Sequence, residues 1–467
     1  MLFSSIIFLS IFLPSLIILY FSVKKSFRNY ILLIYSLIFY AWGEPRYLSV
    51  MLCIILINYL AAILIDKNKN RKIILICDIL LNLFVLIYFK YFNFIVININ
   101  KVLKNPLPKL NIIMPIGISF FIFQAISYVF DVYKNEVPVQ KNIYKLTLYI
   151  SFFPQLIAGP IVKYHEVQKE IENRNESLNN IYLGLFRFSI GLGKKVLIAN
   201  TLGEVVDKIF MLDIINTIDY KIAWIGAICY SLQLYFDFSG YSDMAIGLGK
   251  VFGFKFLENF NYPYVSKSIT EFWRRWHISL GTWFKEYLYI PLGGNRKSSI
   301  RTYINLFIVF LATGIWHGAK WTFVIWGLWH GIFIIIERKI KIEKYDKKFE
   351  IFIRHIYTLF IIITGWVLFR AENMSYGIKF LKIMFGISKN SKIPYSVMYF
   401  LDRKVILALL IGLIASVNIF KLNIDKYYES KSFMRNILLN MYSIIILILS
   451  YMSILSSTYN PFIYFRF

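Results

Sequence analysis

Long apolar runs recur along nearly the whole chain and fix its class before any motif is read. The clearest lie at 2–22, 47–65, 303–316 and 436–455. A helix needs about 20 predominantly apolar residues to cross the hydrocarbon core of a bilayer. Several runs reach that length. The shorter ones suit tilted, broken or re-entrant segments, which survive at membrane depth only where protein or a water-filled cavity covers their backbone. Of the 467 residues, 58% are hydrophobic and 19% aromatic, against roughly half apolar in a soluble domain. Candidate spans fall near 2–22, 29–42, 48–66, 73–89, 113–133, 145–161, 181–199, 221–238, 303–316, 321–337, 353–370, 404–420 and 436–455. The polar stretches between them, such as 163–180 and 293–302, are loops rather than domains. The expected architecture is an all-α polytopic membrane protein, one integral domain over 1–467, with about 11–13 transmembrane helices plus re-entrant or interfacial helices. The first run has no basic region before it and no small-residue cleavage site after it, so it reads as a first membrane helix, not a signal peptide. No internal repeat is evident, which weakens an inverted-repeat transporter reading.

The chain carries 52 Lys+Arg against 26 Asp+Glu, a formal net charge of +26. In a soluble chain that excess would suggest nucleic acid. Here the basic residues sit in short loops between apolar runs, at Lys24, Lys25 and Arg28, and over 67–72, 339–348 and 421–435. That is the pattern of topogenic loops meeting an anionic cytoplasmic leaflet, so the expected partner is the bilayer and not a nucleic acid. The alternation of the first basic loops with the less basic 43–46 places the N-terminus outside the cytoplasm. Cys53, Cys77 and Cys229 form no C-x-x-C pair and read as buried, inert thiols.

The region 200–293 departs from the pattern. Its apolar runs are broken by Gly, Pro and charge: Phe236-Asp-Phe-Ser-Gly-Tyr-Ser-Asp243, then Gly247, Gly249, Gly253 and Pro263. Re-entrant or interfacial elements lining a cavity are expected there, with Asp237 and Asp243 as candidate lining residues. The stretch Gly191-Leu-Gly-Lys-Lys195 lacks the spacing of a phosphate loop and reads as a helix-end loop with membrane-facing charge.

Only five histidines occur, and three directly follow a tryptophan: Trp276-His277, Trp316-His317 and Trp329-His330. A helix starting near Trp321 carries His330 about 13 Å inward, roughly the bilayer middle. An ionisable residue at that depth is a functional candidate; the alternative is a neutral imidazole bonded between helices. The 271–288 stretch reads as an amphipathic interfacial helix. Trp276, Leu280, Trp283, Phe284 and Tyr287 share one arc with His277, while Arg274, Arg275 and Lys285 lie opposite. His277 is therefore either a site residue or an interfacial histidine beside tryptophans. His317 stands at a helix–loop junction, as a cap or a lining residue. His165 and His355 lie in or beside basic loops and read as solvated.

No H-E-x-x-H, clustered Cys/His set, G-x-S-x-G elbow or Walker A is present, so no metal site and no bound cofactor is expected. The chemistry that remains needs little. An imidazole takes the proton of an attacking hydroxyl, and a second polar group polarises a thioester carbonyl.

At these residues the chain resembles the membrane-bound O-acyltransferase superfamily, and more narrowly its bacterial branch acting in alginate O-acetylation and teichoic-acid D-alanylation. The matching stretches run the whole length. They include Met1-Leu-Phe-Ser-Ser5, Tyr40-Ala-Trp42, Met114-Pro-Ile-Gly-Ile-Ser-Phe120, Ser127-Tyr-Val-Phe-Asp-Val-Tyr133 and Phe153-Pro-Gln-Leu-Ile-Ala-Gly-Pro160. The 236–243 motif follows, then Phe272-Trp-Arg-Arg-Trp-His277, Tyr289-Ile-Pro-Leu-Gly-Gly-Asn295, Gly314-Ile-Trp-His-Gly318, Trp326-Gly-Leu-Trp-His-Gly331 and Pro461-Phe-Ile-Tyr-Phe465. The resemblance implies helices around a central funnel, with a catalytic core over about 113–337. It implies His330 as base or essential acyl-transfer residue and His277, 53 positions earlier, as its assistant. His317, Trp276, Trp329, Asp237, Asp243, Arg274 and Arg275 become tunnel-lining candidates. It also implies a cytoplasmic donor, acetyl-CoA or a carrier-bound thioester. The acceptor would be an extracytoplasmic polysaccharide reached through an SGNH-type partner, and the location the bacterial cytoplasmic membrane. The rival readings are a polysaccharide or lipid-linked sugar transporter, and a non-catalytic scaffold.

Overall fold

The computed structural model describes residues 1–103, 105–211, 215–388, 394–417 and 433–462. The basic run 421–435, the end of the expected span 404–420 and residues 463–465 of the C-terminal stretch lie largely or wholly outside them. Among the described residues the chain is α-helical with no strand. Among the described residues, five helices are long and apolar enough to cross a bilayer: Pro45–Lys67, Arg71–Ile99, Ser299–His317, Lys348–Arg370 and Ile437–Ser456. Two shorter apolar helices, Phe8–Ser22 and Ile118–Tyr133, accompany them. The long helices leave large apolar side chains on their outer faces, among them Ile73, Leu80, Phe84, Phe352, Ile444 and Ile448. In water such a surface would aggregate; in lipid it is the solvated one. The protein is a multi-pass membrane protein. Cys53 and Cys77 are exposed on these outer faces and only Cys229 is buried, which corrects the expectation of three buried thiols.

Contacts divide the chain into two compact units, 1–188 with 242–257, and 189–241 with 258–467. In the first, Phe3, Phe8, Phe12, Phe39 and Phe153 form a ring cluster, with Phe3–Phe8 centroids 4.9 Å apart and Phe39–Phe153 5.5 Å. Two membrane helices are joined by paired amides: Asn58 Nδ2 donates to Asn82 Oδ1 at 3.0 Å, and Asn82 Nδ2 returns a bond at 3.3 Å. Such side-chain pairs hold helices together where lipid offers no competing hydrophobic drive. A polar knot closes the unit, with Arg28 on Glu176 at 3.0 Å and the Tyr20 hydroxyl donating to Glu176 at 2.6 Å.

Two expectations are overturned over 178–251. The region around 236–243 is not re-entrant: Tyr220–Val251 is one helix of 32 residues, running through Gly240, Gly247 and Gly249. The glycines are contact points rather than breaks. A β-carbon on Gly240 would lie 2.7 Å from the Gly191 carbonyl oxygen, and small residues of this kind let helix backbones meet in membranes. Likewise Gly191–Lys195 is no loop. The helix Leu178–Gly193 continues into a π-helical turn, Lys194–Ala199. There Lys195 is buried and its ammonium sits 2.8 Å from Asp237 Oδ1; it also donates to Asn200 Oδ1 at 2.7 Å and to the Pro461 carbonyl. The irregular backbone expected in this region begins instead beyond Val251.

Candidate active site

The Ser299–His317 and Trp321–Ile340 helices form a hairpin. A β-carbon on Gly314 would come within 2.5 Å of the Phe323 carbonyl oxygen, and one on Gly327 within 2.4 Å of that of Phe310. Backbone meets backbone here, so glycine is required on both helices. This close crossing sets His317, at the end of the first helix, beside the helix that carries His330. Two turns past His330, buried Glu337 accepts from the Ile269 N–H at 2.6 Å, the Thr270 N–H at 3.0 Å and the Thr270 hydroxyl at 2.8 Å. It thereby satisfies the orphan donors that open the Ile269–Arg275 helix and fixes Trp273 against the His330 helix.

The 271–288 stretch is not one amphipathic helix. Trp276 is extended and His277 left-handed (φ 46°, ψ 54°), so Ile269–Arg275 and Ile278–Phe284 are separate helices. The expected faces survive the break: Trp276, Leu280, Trp283, Phe284 and Tyr287 are buried, while Arg274 and Lys285 are exposed. A non-glycine residue held at positive φ is strained, and such strain concentrates at functional positions.

The three histidines that follow a tryptophan converge. His330 packs edge-on against Trp273 (centroids 5.1 Å) and Trp326 (5.2 Å). Trp326 in turn touches His317 at 5.0 Å. Trp316 contacts both His317 (5.0 Å) and His277 (6.1 Å). Trp276 lies tilted against Trp366, with centroids 4.9 Å apart. His330, His317, His277 and Trp276 therefore belong to one aromatic cluster, all within the second unit.

His330 is fully buried, and neither of its ring nitrogens has a hydrogen-bond partner in the protein. The indole N–H groups of Trp273 and Trp326 are also buried and without one. A buried polar group left unpaired costs about 1–3 kcal/mol, so several gathered around one imidazole mark a place for a polar guest. Gly365, on the Lys348–Arg370 helix, lets that helix pack directly against the ring: a β-carbon there would lie 2.8 Å from His330 Nε2.

His277 is 2% exposed, and burial pushes its imidazole pKa down, so the ring is neutral at ordinary pH. Its Nδ1 is 3.2 Å from Asn259 Oδ1. That oxygen also accepts from the Ser279 N–H (3.2 Å) and hydroxyl (2.9 Å), which identifies it as the carbonyl end of the amide. Nδ1 is then the donor, and Nε2 carries the lone pair. No protein group meets Nε2. Phe238 lies edge-on to the ring at 4.5 Å.

The other candidates divide. Trp329 donates its indole N–H to the Ile361 carbonyl at 3.1 Å and packs on Phe333. Asp237 is engaged by Lys195. Asp243 lies in the first unit, bound by Arg187 at 2.7 Å. Arg275 pairs with Glu271 at 2.9 Å. Arg274 lines a cavity of about 800 Å³. Neither outlying histidine is simply solvated. His355 Nδ1 is 2.9 Å from the Ser266 carbonyl oxygen. His165 pairs with buried Asp131 at 3.0 Å, which raises its pKa, and Glu136 joins these two in a cluster whose ligand atoms lie within 4.8 Å.

The family model of the membrane-bound O-acyltransferases matches residues 34–369, a stretch that takes in the whole histidine cluster and Gly365. The chain belongs to the membrane-bound O-acyltransferase family. It is 43% identical over 394 residues to the protein named "Probable alginate O-acetylase AlgI" of Pseudomonas putida, covering 83% of this chain and 80% of that one. It is 39% identical over 425 residues to the peptidoglycan O-acetyltransferase of Helicobacter pylori, with 83% and 80% covered. A teichoic acid D-alanyltransferase of Bacillus subtilis is 30% identical over 257 residues, 52% of this chain and 63% of that one. As a member of this family the protein is a membrane-embedded O-acyltransferase, and the transporter reading finds no support in these relatives.

Proposed function

We propose that the protein transfers acetyl groups from a cytoplasmic thioester toward an extracytoplasmic polysaccharide, with His330 as the base. The observation that carries this is the state of His330: buried in a ring of tryptophans, with both nitrogens unpaired and Nε2 turned toward Gly365. An unpaired neutral imidazole accepts the proton of an attacking hydroxyl. The hydroxyl oxygen bonds to the thioester carbonyl carbon, the C–S bond breaks, and the proton passes from the imidazole to the departing sulfur. The unpaired N–H groups of Trp273 and Trp326 are suited to bind charge developing on the carbonyl oxygen. His277, held by Asn259 with Nε2 as acceptor, assists as second base or as orienter of the acceptor. The core of this activity falls within 113–337 extended to Gly365.

Acetyl is favoured over D-alanyl because the two relatives sharing 43% and 39% identity over 83% of the chain bear O-acetylation names, while the D-alanyl relative matches 52%. The polymer acceptor, an SGNH-type partner that completes delivery, and residence in the bacterial cytoplasmic membrane belong to the same proposal. The test compares cells with and without the gene for ester-linked acetate and D-alanine released by mild base from isolated surface polymers. Loss of acetate alone supports the proposal; loss of D-alanine alone, or of neither, overturns it.

A further inference from the structure

A second group of donor atoms gathers in the first unit, where the ends of two helices meet. Asp131 lies in the last turn of the Ile118–Tyr133 helix, fully buried. Just beyond that helix Asn135, at φ 60°, folds the chain back, and the Glu136 N–H bonds to the Asp131 carbonyl oxygen at 2.9 Å. Arg71 holds this turn, donating to the Val132 carbonyl at 3.0 Å and to Asn135 Oδ1 at 2.8 Å. His165 comes from the first turn of the Tyr164–Glu172 helix. Its neighbour Tyr164 is buried edge-on against Tyr128 (5.0 Å) and Tyr149 (5.1 Å), which sets the start of this helix against the end of Ile118–Tyr133. One imidazole and two carboxylates are thereby brought together, with their ligand atoms within 4.8 Å of one another. His165 Nδ1 and Asp131 Oδ2 are 3.0 Å apart.

A histidine–aspartate ion pair needs only two of these three residues. The turn at Asn135 adds a second carboxylate beside the first, and neighbouring carboxylates repel. A divalent cation between them removes that cost. Zinc takes histidine nitrogen and carboxylate oxygen at about 2.0–2.2 Å with tetrahedral geometry, which sets its ligand atoms roughly 3.3 Å apart. The His165–Asp131 pair already has about that spacing. The remaining contraction falls on Glu136, whose side chain is 48% exposed and moves between staggered rotamers. Glu136 meets Lys134 at 3.5 Å in an exposed pair, and such pairs are weak. Lys163, the other cation beside His165, is held by Glu166 at 3.1 Å. Calcium and magnesium prefer about six to eight oxygen ligands, so the mixed nitrogen–oxygen set favours zinc. No sequence motif announces the set, because its members lie 5 and 29 positions apart.

We propose that Asp131, Glu136 and His165 bind a zinc ion, which pins the Tyr164–Glu172 helix to the end of the Ile118–Tyr133 helix. Three protein ligands leave a fourth position to water. The site lies within the first unit and owes nothing to the acyltransferase reading.

The test measures metal binding, not transfer. The full chain, free of any histidine tag, is purified in phosphatidylcholine nanodiscs, stripped with a chelator and titrated calorimetrically with zinc chloride. The expected results are saturable binding of one zinc per chain, a rise in thermal midpoint on zinc addition, and no displacement by excess magnesium or calcium. Loss of an outer-shell partner already weakens metal binding by roughly 10- to 100-fold. Glu136→Gln and His165→Gln each remove a ligand and should weaken the Kd by about 100-fold or more. Both residues are exposed, so the substitutions leave the fold in place. Glu136→Cys keeps a ligand atom there. With cobalt in place of zinc it should show a near-ultraviolet thiolate-to-cobalt absorption that the wild type lacks. No saturable binding overturns the proposal. So does zinc binding that Glu136→Gln leaves unchanged, which would put the ion elsewhere and leave His165 and Asp131 a plain ion pair. A cobalt-loaded Glu136→Cys protein without the thiolate absorption overturns it as well.

Discussion

A β-carbon on Gly365 would sit 2.8 Å from Nε2 of His330, closer than real β-carbons come to other atoms. The two residues lie on different helices, and the glycine is what lets the imidazole sit directly against the neighbouring helix. Gly365→Ala should therefore push the His330 ring aside without removing it. A misplacement of about 1 Å at a reacting group costs on the order of 100-fold in rate. The expected outcome is a loss of that size in acetyl transfer by isolated membranes, with the protein still accumulating at wild-type level. Unchanged transfer would mean that Nε2 is not the working atom.

Asn259 fixes the tautomer of His277 through Nδ1. In Asn259→Asp a carboxylate would face the same nitrogen and favour the protonated ring, raising the pKa of a group that burial now lowers. His277 would then stay protonated to higher pH. The acid limb of the pH–rate profile should move upward, with the plateau rate at alkaline pH less affected. A profile superimposable on wild type would remove His277 from the reaction.

Lys195 and Asp237 form a buried pair, 2% and 3% exposed. Lys195→Met strands a buried carboxylate and should cost about 3–5 kcal/mol, read as a marked fall in the thermal midpoint of the detergent-purified protein. Replacing both, Lys195→Met/Asp237→Leu, should recover most of the loss. If the single variant is as stable as wild type, the pair is not a structural anchor.

Gly327 admits no side chain where it meets Phe310. Gly327→Val should separate the hairpin and prevent accumulation in the membrane, whereas Gly386→Ala, with open space around it, should accumulate at levels close to wild type, its positive φ being the only cost. Membrane immunoblots of the two variants check the contrast.

Helix existence and the histidine trio were legible in the sequence because both are local signals: apolar runs long enough to span, and three Trp-His dipeptides. The signals that failed were local too. Gly240, Gly247 and Gly249 read as breaks because glycine in water marks a turn, yet in a membrane helix it marks a contact with a neighbour. Lys195 read as loop charge because its partner Asp237 is distant in the chain. Trp276-His277 broke a helix whose periodicity ran through it, since periodicity reports which side faces inward and not whether the backbone continues. Asn259, Gly365 and Glu337 gave no signal, because each acts on a residue far away in the chain. The indole N–H groups of Trp273 and Trp326 stood out only once the protein around them could be searched for acceptors.

The proposed transfer turns on His330. The direct measurement is the O-acetyl content of surface polysaccharide in cells carrying wild type, His330→Ala or no protein, at matched membrane levels. His330→Ala is predicted to match the empty strain, since removing a general base costs roughly 100- to 10,000-fold. Wild-type acetylation in His330→Ala would contradict the account and leave His330 a packing residue.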